Sequence, residues 1–459
     1  MIDWLAASRC GAALGERDWG AAGIGAAIAA APCFQNTAFD LSPLPLLAAH
    51  DDAAAMVPAL EAYVALLRRI VAAYREHPEV RAWFGLGPAA QALITADTRL
   101  GDEVTVCRLD GYLEQGTERL VLLENNADAP AGTLFSPRIN DIVRDGLERA
   151  GVPVPGWSPL TFADSGALLA TLTAAARRAG ISADPLRVAI LQFDGRSNTE
   201  SREMAAAFSL AGAEAFVADP RQLALDGGTV SFGGRAADVC WNKVNTVAWR
   251  DGVERDGDLV ARWAAALAGG ELAHVNPFGA RYVAESKLAL ALVTEPRFNG
   301  LFTAADQDLA SGLLPWSRRL ETGAVAADGQ TPLARHAREN PAEYVIKEPY
   351  DIRGDGVTVG RAVPPAAWEQ AVARAERDRL LLQRYVPPAA YPVIRAGQRP
   401  AVVAMPASFD TFVFGGLVRG FGSKASLNAR LNVFQGGQKL AVHVICPESG
   451  VAASGPASS

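Results

Sequence analysis

The segment 104–132 constrains this chain more than any other. An apolar run, Val121-Leu122-Leu123, ends in Glu124-Asn125-Asn126-Ala127-Asp128, and Pro130 and Gly132 break the chain directly after it. Upstream, Val104-Thr105-Val106-Cys107-Arg108-Leu109-Asp110 is a second β-rich run that ends in a charge pair. A turn-prone stretch from Gly111 to Gly116 joins the two, which predicts a hairpin. Strand alternation puts Arg108 and Asp110 on one face, and Glu124 and Asn126 on one face of the next strand. If the strands pair, two carboxylates and an amide oxygen converge beside a guanidinium. A few hard oxygen ligands suit Mg²⁺, which completes its shell with water and substrate phosphates. The same spacing also describes an edge hairpin with a solvated polar face, so this segment alone does not choose.

A chain of 459 residues predicts two or three domains. Half the residues are hydrophobic, a fifth are charged and the net charge is -7, a globular composition. No Lys/Arg-dense stripe is present, which argues against a nucleic-acid partner. The five cysteines include no CxxC, so reduced thiols of a cytosol are expected rather than a disulfide framework. The five histidines are isolated and predict no zinc site. The Ala-rich run 21–31 is broken by Gly and Pro and falls short of the roughly 20 apolar residues of a membrane span. With no basic-then-apolar leader at Met1, the expectation is a cytoplasmic protein with no membrane partner.

Five regions follow along the chain. Residues 1–98 read as mainly helical, with 53–74 strongly amphipathic. Residues 99–164 hold the hairpin and a helix over 133–150, started by Ser136-Pro137 and stopped by Gly151. Residues 165–275 read as strand (186–193), helix (200–210), strand (213–218) and a further strand from Asp238, a βαβ pattern that predicts a small parallel sheet. No GxGxxG follows the first strand, so a dinucleotide site is not supported. The loops 194–198 and 242–245 and the segment 419–424 are plausible substrate contacts. Residues 276–446 begin with a helix predicted over 282–293 that carries Lys287. The strand Tyr344-Val345-Ile346-Lys347 then leads into Gly354 and Gly356 and a returning run, Val357-Thr358-Val359. Glycines let backbone N–H groups approach phosphate oxygens, and a lysine adds a point charge. GxxxxGK[ST] is absent. A buried strand over 380–386 and a polar segment, Asn428 to Gly437, follow. The tail 447–459 is expected to be disordered.

Taken together, these pieces resemble the ATP-grasp ligases, in the circularly permuted form of the synthetase domain of glutathionylspermidine synthase. The resemblance covers about residues 100 to 445. Arg108-x-Asp110 and Glu124-Asn125-Asn126-Ala127-Asp128-Ala129-Pro130 are similar to that family's R-x-D and E-x-N-A-D-x-P. The resemblance implies that Asp110, Glu124 and Asn126 hold Mg²⁺ and that Arg108 faces the transferred phosphate. It implies that Lys287, Lys347, Gly354 and Gly356 bind ATP phosphates, and that Gln383 and Tyr385 lie on the strand that reads adenine. Asn432 with Gly436-Gly437 resembles the closing N…GG segment, preceded by a basic residue, here Lys424 or Arg430. Where the family often has Glu after Gln383, this chain has Arg384. Only 98 residues precede the hairpin region, so the amidase domain of that synthase is expected to be absent.

The implied fold class is α/β (α+β): a permuted ATP-grasp core, a small parallel-sheet domain like those preceding ATP-grasp cores, and a helical N-terminal region. The implied activity is an ATP- and Mg²⁺-dependent, ADP-forming ligation of a small-molecule or peptide carboxylate to an amine, through an acylphosphate. The alternatives are a non-catalytic nucleotide-binding partner protein and an ATP-dependent phosphotransferase on the same site.

Overall fold

In the computed structural model the described residues are 1–15, 40–163, 166–195, 199–351, 354–395, 401–431 and 436–446, with Gly23, Ala27 and Val433. Asn432 and the tail 447–459 lie outside them. The strands Val106–Leu113 and Leu120–Asn126 pair antiparallel, with Asp110 opposite Glu124 and Arg108 opposite Asn126. The turn falls later than expected, over 114–119, with Gly116 and Glu118 at positive φ. Gly111 stays inside the first strand, beside a bulge that follows Asp110. A Cβ there would sit 2.6 Å from the Val121 carbonyl oxygen. Gly111→Ala is therefore expected to lower stability by about 1–3 kcal/mol, the usual range for overpacking. Denaturant unfolding reads this, and an unchanged midpoint would mean that the bulge absorbs a methyl group.

The hairpin forms one edge of a six-stranded sheet in the order Asp40–Leu41, Gln438–Leu440, Leu417–Ala425, Asp410–Phe414, Val106–Leu113, Leu120–Asn126. Residues from both ends of the chain thus build one sheet. Within 1–98 the described helices are Trp4–Gly15, His50–Glu76, Pro78–Phe84 and Pro88–Ala96. Two short strands add to them. Asp40–Leu41 pairs parallel with Gln438–Leu440, and Leu46–Ala49 pairs parallel with Val442–Ile445.

A second sheet is wholly parallel, in the order Ala273–Val275, Val239–Asn242, Arg187–Leu191, Glu214–Ala218, with Thr199–Leu210 as a crossover helix. Its central strands are buried, as both-face coverage by helices requires. A third sheet, in the order Ser317–Arg319, Leu381–Arg384, Tyr344–Lys347, Val357–Val359, is antiparallel. The helices Leu333–Glu339 and Pro365–Asp378 pack on it through a separate core that includes Trp368, Ile346 and Leu382.

The helix predicted over 282–293 is not continuous. A π-helical turn, Ala280–Ala284, is followed by a break and one turn of α-helix, Ala289–Leu292. All of 280–293 is buried. Tertiary polar contacts override helical spacing here: Glu285 accepts from the Ala127 N–H at 2.6 Å and Lys287 donates to Glu124 at 2.9 Å. Among the described residues no helix is long and apolar enough to cross a membrane.

Candidate active site

Alternate residues of a strand share a face, so the six-stranded sheet gathers its charges on one side. Arg108 and Asp110 come from one strand, Glu124 and Asn126 from its hairpin partner, Asp410 and Lys424 from the two strands beyond, and Lys439 from opposite Lys424. The third sheet brings Lys347, Gln383 and Tyr385 to the same place. A cavity of about 350 Å³ lies between, lined by Arg108, Asp110, Glu124, Asn126, Lys347 and Gln383, and also by Tyr385 and Gly354. Lys287 reaches the same group from the helix break.

The charges are interlocked. Arg108 donates Nε to Asp110 Oδ1 at 2.5 Å and Nη2 to Oδ2 at 3.0 Å, a two-pronged pair, and gives Nη1 to the Ala131 carbonyl at 2.8 Å. Lys424 donates to Asp110 and to Asp410, each at 2.9 Å. The Asn126 amide donates to Asp110 Oδ1 at 2.9 Å. Lys287 bonds both Glu124 and Asp351. Lys347 donates to the Leu123 carbonyl at 2.7 Å.

Burial alone would raise the Asp110 carboxyl, but Arg108 and Lys424 outweigh it and hold it well below the usual carboxylate range. Burial opposes charge on Lys287 too, and there Glu124 and Asp351 win and raise it. Among the described residues Lys347 bonds no carboxylate. Burial, helped by Lys287 and opposed by Glu124, pushes it down to about 8. Lys439 falls to about 8 through burial and the neighbouring Lys424. Burial, then the nearby Asp110, raises Asp410, whose Oδ1 has no hydrogen-bond partner among the described residues. Burial and Asp128 raise Glu285.

Both Lys424 and Arg430 line the cavity, Lys424 bonded to Asp110 and Arg430 beside Gly354. Gly356 donates its N–H to Asp351 at 3.2 Å. The Gln383 side chain is spent on Ser317 Oγ at 3.1 Å. The backbone N–H groups of Arg384 and Tyr385 go to the Trp316 and Glu343 carbonyls at 2.8 and 2.7 Å. A base edge would be read by what these residues leave over, not by those two N–H groups. Asp351, Asp410, Lys439 and Glu285 are site residues that sequence reasoning did not assign. Strand alternation could have marked Asp410 and Lys439, but pairing them with Asp110 needs the sheet order.

The loop 242–245 is not a solvated loop at Lys243, and it reaches the cavity through Asn245. Lys243 is buried and bonds Glu200 at 3.1 Å and the Pro130 carbonyl at 2.9 Å. Asn245 caps the helix Thr246–Gly252, accepting from the Ala248 N–H, while it also lines the cavity. Of the loop 194–198, residues 196–198 lie outside the described set.

Among the described residues, no group of three or more His, Cys, Asp or Glu forms a ready metal centre. Asp110, Glu124 and Asn126 are an all-oxygen set on two strands in register, with both carboxylates held by cations. That suits a Mg²⁺ ion that arrives with phosphate ligands and not a preformed protein cage.

No family model matches the sequence, and no curated protein matches it. Among solved structures, a glutathione synthetase-like effector from Globodera pallida, in apo form, is 14% identical with a TM-score of 0.55, covering 89% of this chain and 91% of that one. A putative gamma-glutamylcysteine synthetase from Methylobacillus flagellatus is 13% identical with a TM-score of 0.38, over 83% of this chain and 87% of that one. A RimK domain ATP-grasp protein from Sphaerobacter thermophilus is 20% identical with a TM-score of 0.27, over 52% and 91%. The first shares its fold with this chain; the other two superpose too loosely to support an argument. The fold is α/β and is shared with that effector, and in this chain the carboxylate-bearing hairpin precedes the lysine-bearing lobe.

Proposed function

We propose that this protein is an ATP- and Mg²⁺-dependent, ADP-forming carboxylate–amine ligase that works through an acylphosphate. The observation that carries the reading is one cavity in which Asp110 and Glu124 stand directly opposite, lined also by Asn126, Arg108, Lys347 and Lys424, with Lys287 bonded to Glu124. Asp110, Glu124 and Asn126 would hold Mg²⁺, which would supply charge neutralisation for phosphoryl transfer. Lys287 and Lys347 orient the α/β-phosphates, and Gly354 and Gly356 allow backbone to approach them. Arg108, with Lys424, sits where charge builds on the transferred phosphoryl group. The substrate carboxylate attacks the γ-phosphorus and ADP leaves. An amine nitrogen then attacks the acyl carbon and phosphate leaves, so no nucleophilic Cys or Ser is needed. The acid and amine are small molecules or peptides, and the setting is the cytoplasm.

Incubation with Mg·ATP and pooled acids and amines tests the reading. ADP with a new amide supports it. A phosphorylated end product would make the protein a phosphotransferase, and nucleotide binding without turnover would make it a binding module.

Lys347 provides a sharper check. Lys347→Met is expected to weaken Mg·ADP binding by about 10- to 100-fold in calorimetry, the worth of a charge-assisted hydrogen bond. In the native protein, affinity should fall as pH rises through about 8, where Lys347 loses its proton. The contribution of Lys347 to fold stability moves the other way. Because the folded lysine titrates below its ordinary 10.5, the unfolded chain binds more protons at this site between about 8 and 10.5, so that contribution rises over the window. Lys439 adds to the same trend. The buried thiols of Cys10, Cys107 and Cys240, raised by burial, oppose it above about 9. Unchanged affinity in the Met variant would remove Lys347 from phosphate binding.

A further inference from the structure

We infer that Asp351 sets the nucleotide affinity of this cavity by standing in for a phosphate group, so that a nucleotide must displace its carboxylate from Lys287. The inference rests on the nucleotide-binding reading above and deepens it.

The Asp351 carboxylate takes two kinds of donor. One oxygen bonds the Lys287 ammonium, and the other accepts the Gly356 backbone N–H at 3.2 Å. A buried lysine and a glycine-loop N–H are also what a phosphate oxygen seeks. The contact is enclosed: the side chains of Lys287 and Asp351 are 1% and 4% exposed. Asp351 also lines the cavity itself. The close approach depends on glycine, since a Cβ at Gly356 would lie 2.8 Å from Asp351 Cβ.

Lys287 already has a carboxylate partner in Glu124 at 2.9 Å, so Asp351 is a second anion on one cation. Nor is its charge what attaches this segment to the helix break. The Lys287 N–H bonds the Pro349 carbonyl at 3.0 Å, and the Tyr350 hydroxyl bonds the Tyr282 carbonyl. Glu348, in the same segment, turns outward to Arg374 at 2.5 Å. Removing the charge of Asp351 should therefore free Lys287 for a phosphate without detaching the segment. A phosphate and the Asp351 carboxylate cannot hold the same face of Lys287 together, so the carboxylate competes for every phosphate-bearing ligand and for none without phosphate.

The test compares native protein with Asp351→Asn, which keeps an acceptor for Gly356 and removes the negative charge. Binding of ADP and of adenosine is measured by calorimetry in the same Mg²⁺ buffer, and thermal melting confirms the fold. Asp351→Ser serves if the Asn variant does not fold. The expected result is ADP affinity higher by roughly fivefold or more, within the usual range of site coupling, with adenosine affinity unchanged. Equal or weaker ADP binding by the variant overturns the inference, as does an equal gain for adenosine. If the native protein binds no ADP, the nucleotide-binding reading itself fails, a result distinct from either.

Discussion

Glu124→Ala is expected to abolish Mg·ATP turnover, by about a thousandfold or more, while the protein stays folded. A Lewis-acid cation contributes several kcal/mol at a transferring phosphoryl group, and each ~1.4 kcal/mol is tenfold in rate. Glu124 faces Asp110 across the hairpin, and its side chain is 27% exposed, so the change leaves little void. Lys287 keeps Asp351 as its partner and Lys347 keeps the Leu123 carbonyl. The loss should therefore appear in turnover and in Mg²⁺ dependence, not in the melting temperature. ADP release is the readout, with the acid and amine that the pooled screen identifies. Near-normal turnover would take Glu124 out of its proposed role.

Lys243→Met should instead cost about 3–5 kcal/mol of stability, the toll of breaking one side of a buried ion pair. Lys243 and Glu200 are 3% and 4% exposed, so the orphaned Glu200 charge would have no water to compensate it. Among the described residues Glu200 would keep the Gly132 N–H at 3.0 Å and a long contact to the Leu134 N–H. The effect should spread to the site. Lys243 and Glu200 fix the loop 130–132 from both sides, and the Ala131 carbonyl of that loop receives Arg108. The double variant Lys243→Met with Glu200→Gln should recover part of the stability, because it leaves no unpaired charge. Denaturant unfolding of all three proteins checks this, and a single variant as stable as the native chain would show that water reaches Glu200.

Lys243 also shows why burial is not legible from local sequence. In sequence it is a polar residue in a short loop after a strand, which suggests solvent or substrate. Its burial comes from the packing of the parallel sheet on the loop after the hairpin, with Glu200 43 residues away. The same holds at 285–288. Apolar spacing there predicts a continuous helix, and the break exists because Glu285 and Lys287 bond residues about 160 positions earlier. Asn432 lies outside the described residues, so its place in the closing segment stays an expectation.

The sequence by itself determined the parts with a short repeat. Period-two alternation placed Arg108 with Asp110 and Glu124 with Asn126, and the strand register then set each pair opposite the other. Lys347 at a strand end before Gly354 and Gly356, and the βαβ pattern of a parallel sheet, were equally local. Only the tertiary structure decided which cation answers Asp110, that Asp351 sits on Lys287, and that Asp410 and Lys439 belong to the site. Lys424 is 314 residues from Asp110, and Asp351 is 64 from Lys287. Such contacts arise from strand order and lobe packing, which bring distant segments to one sheet face. No local periodicity encodes that order.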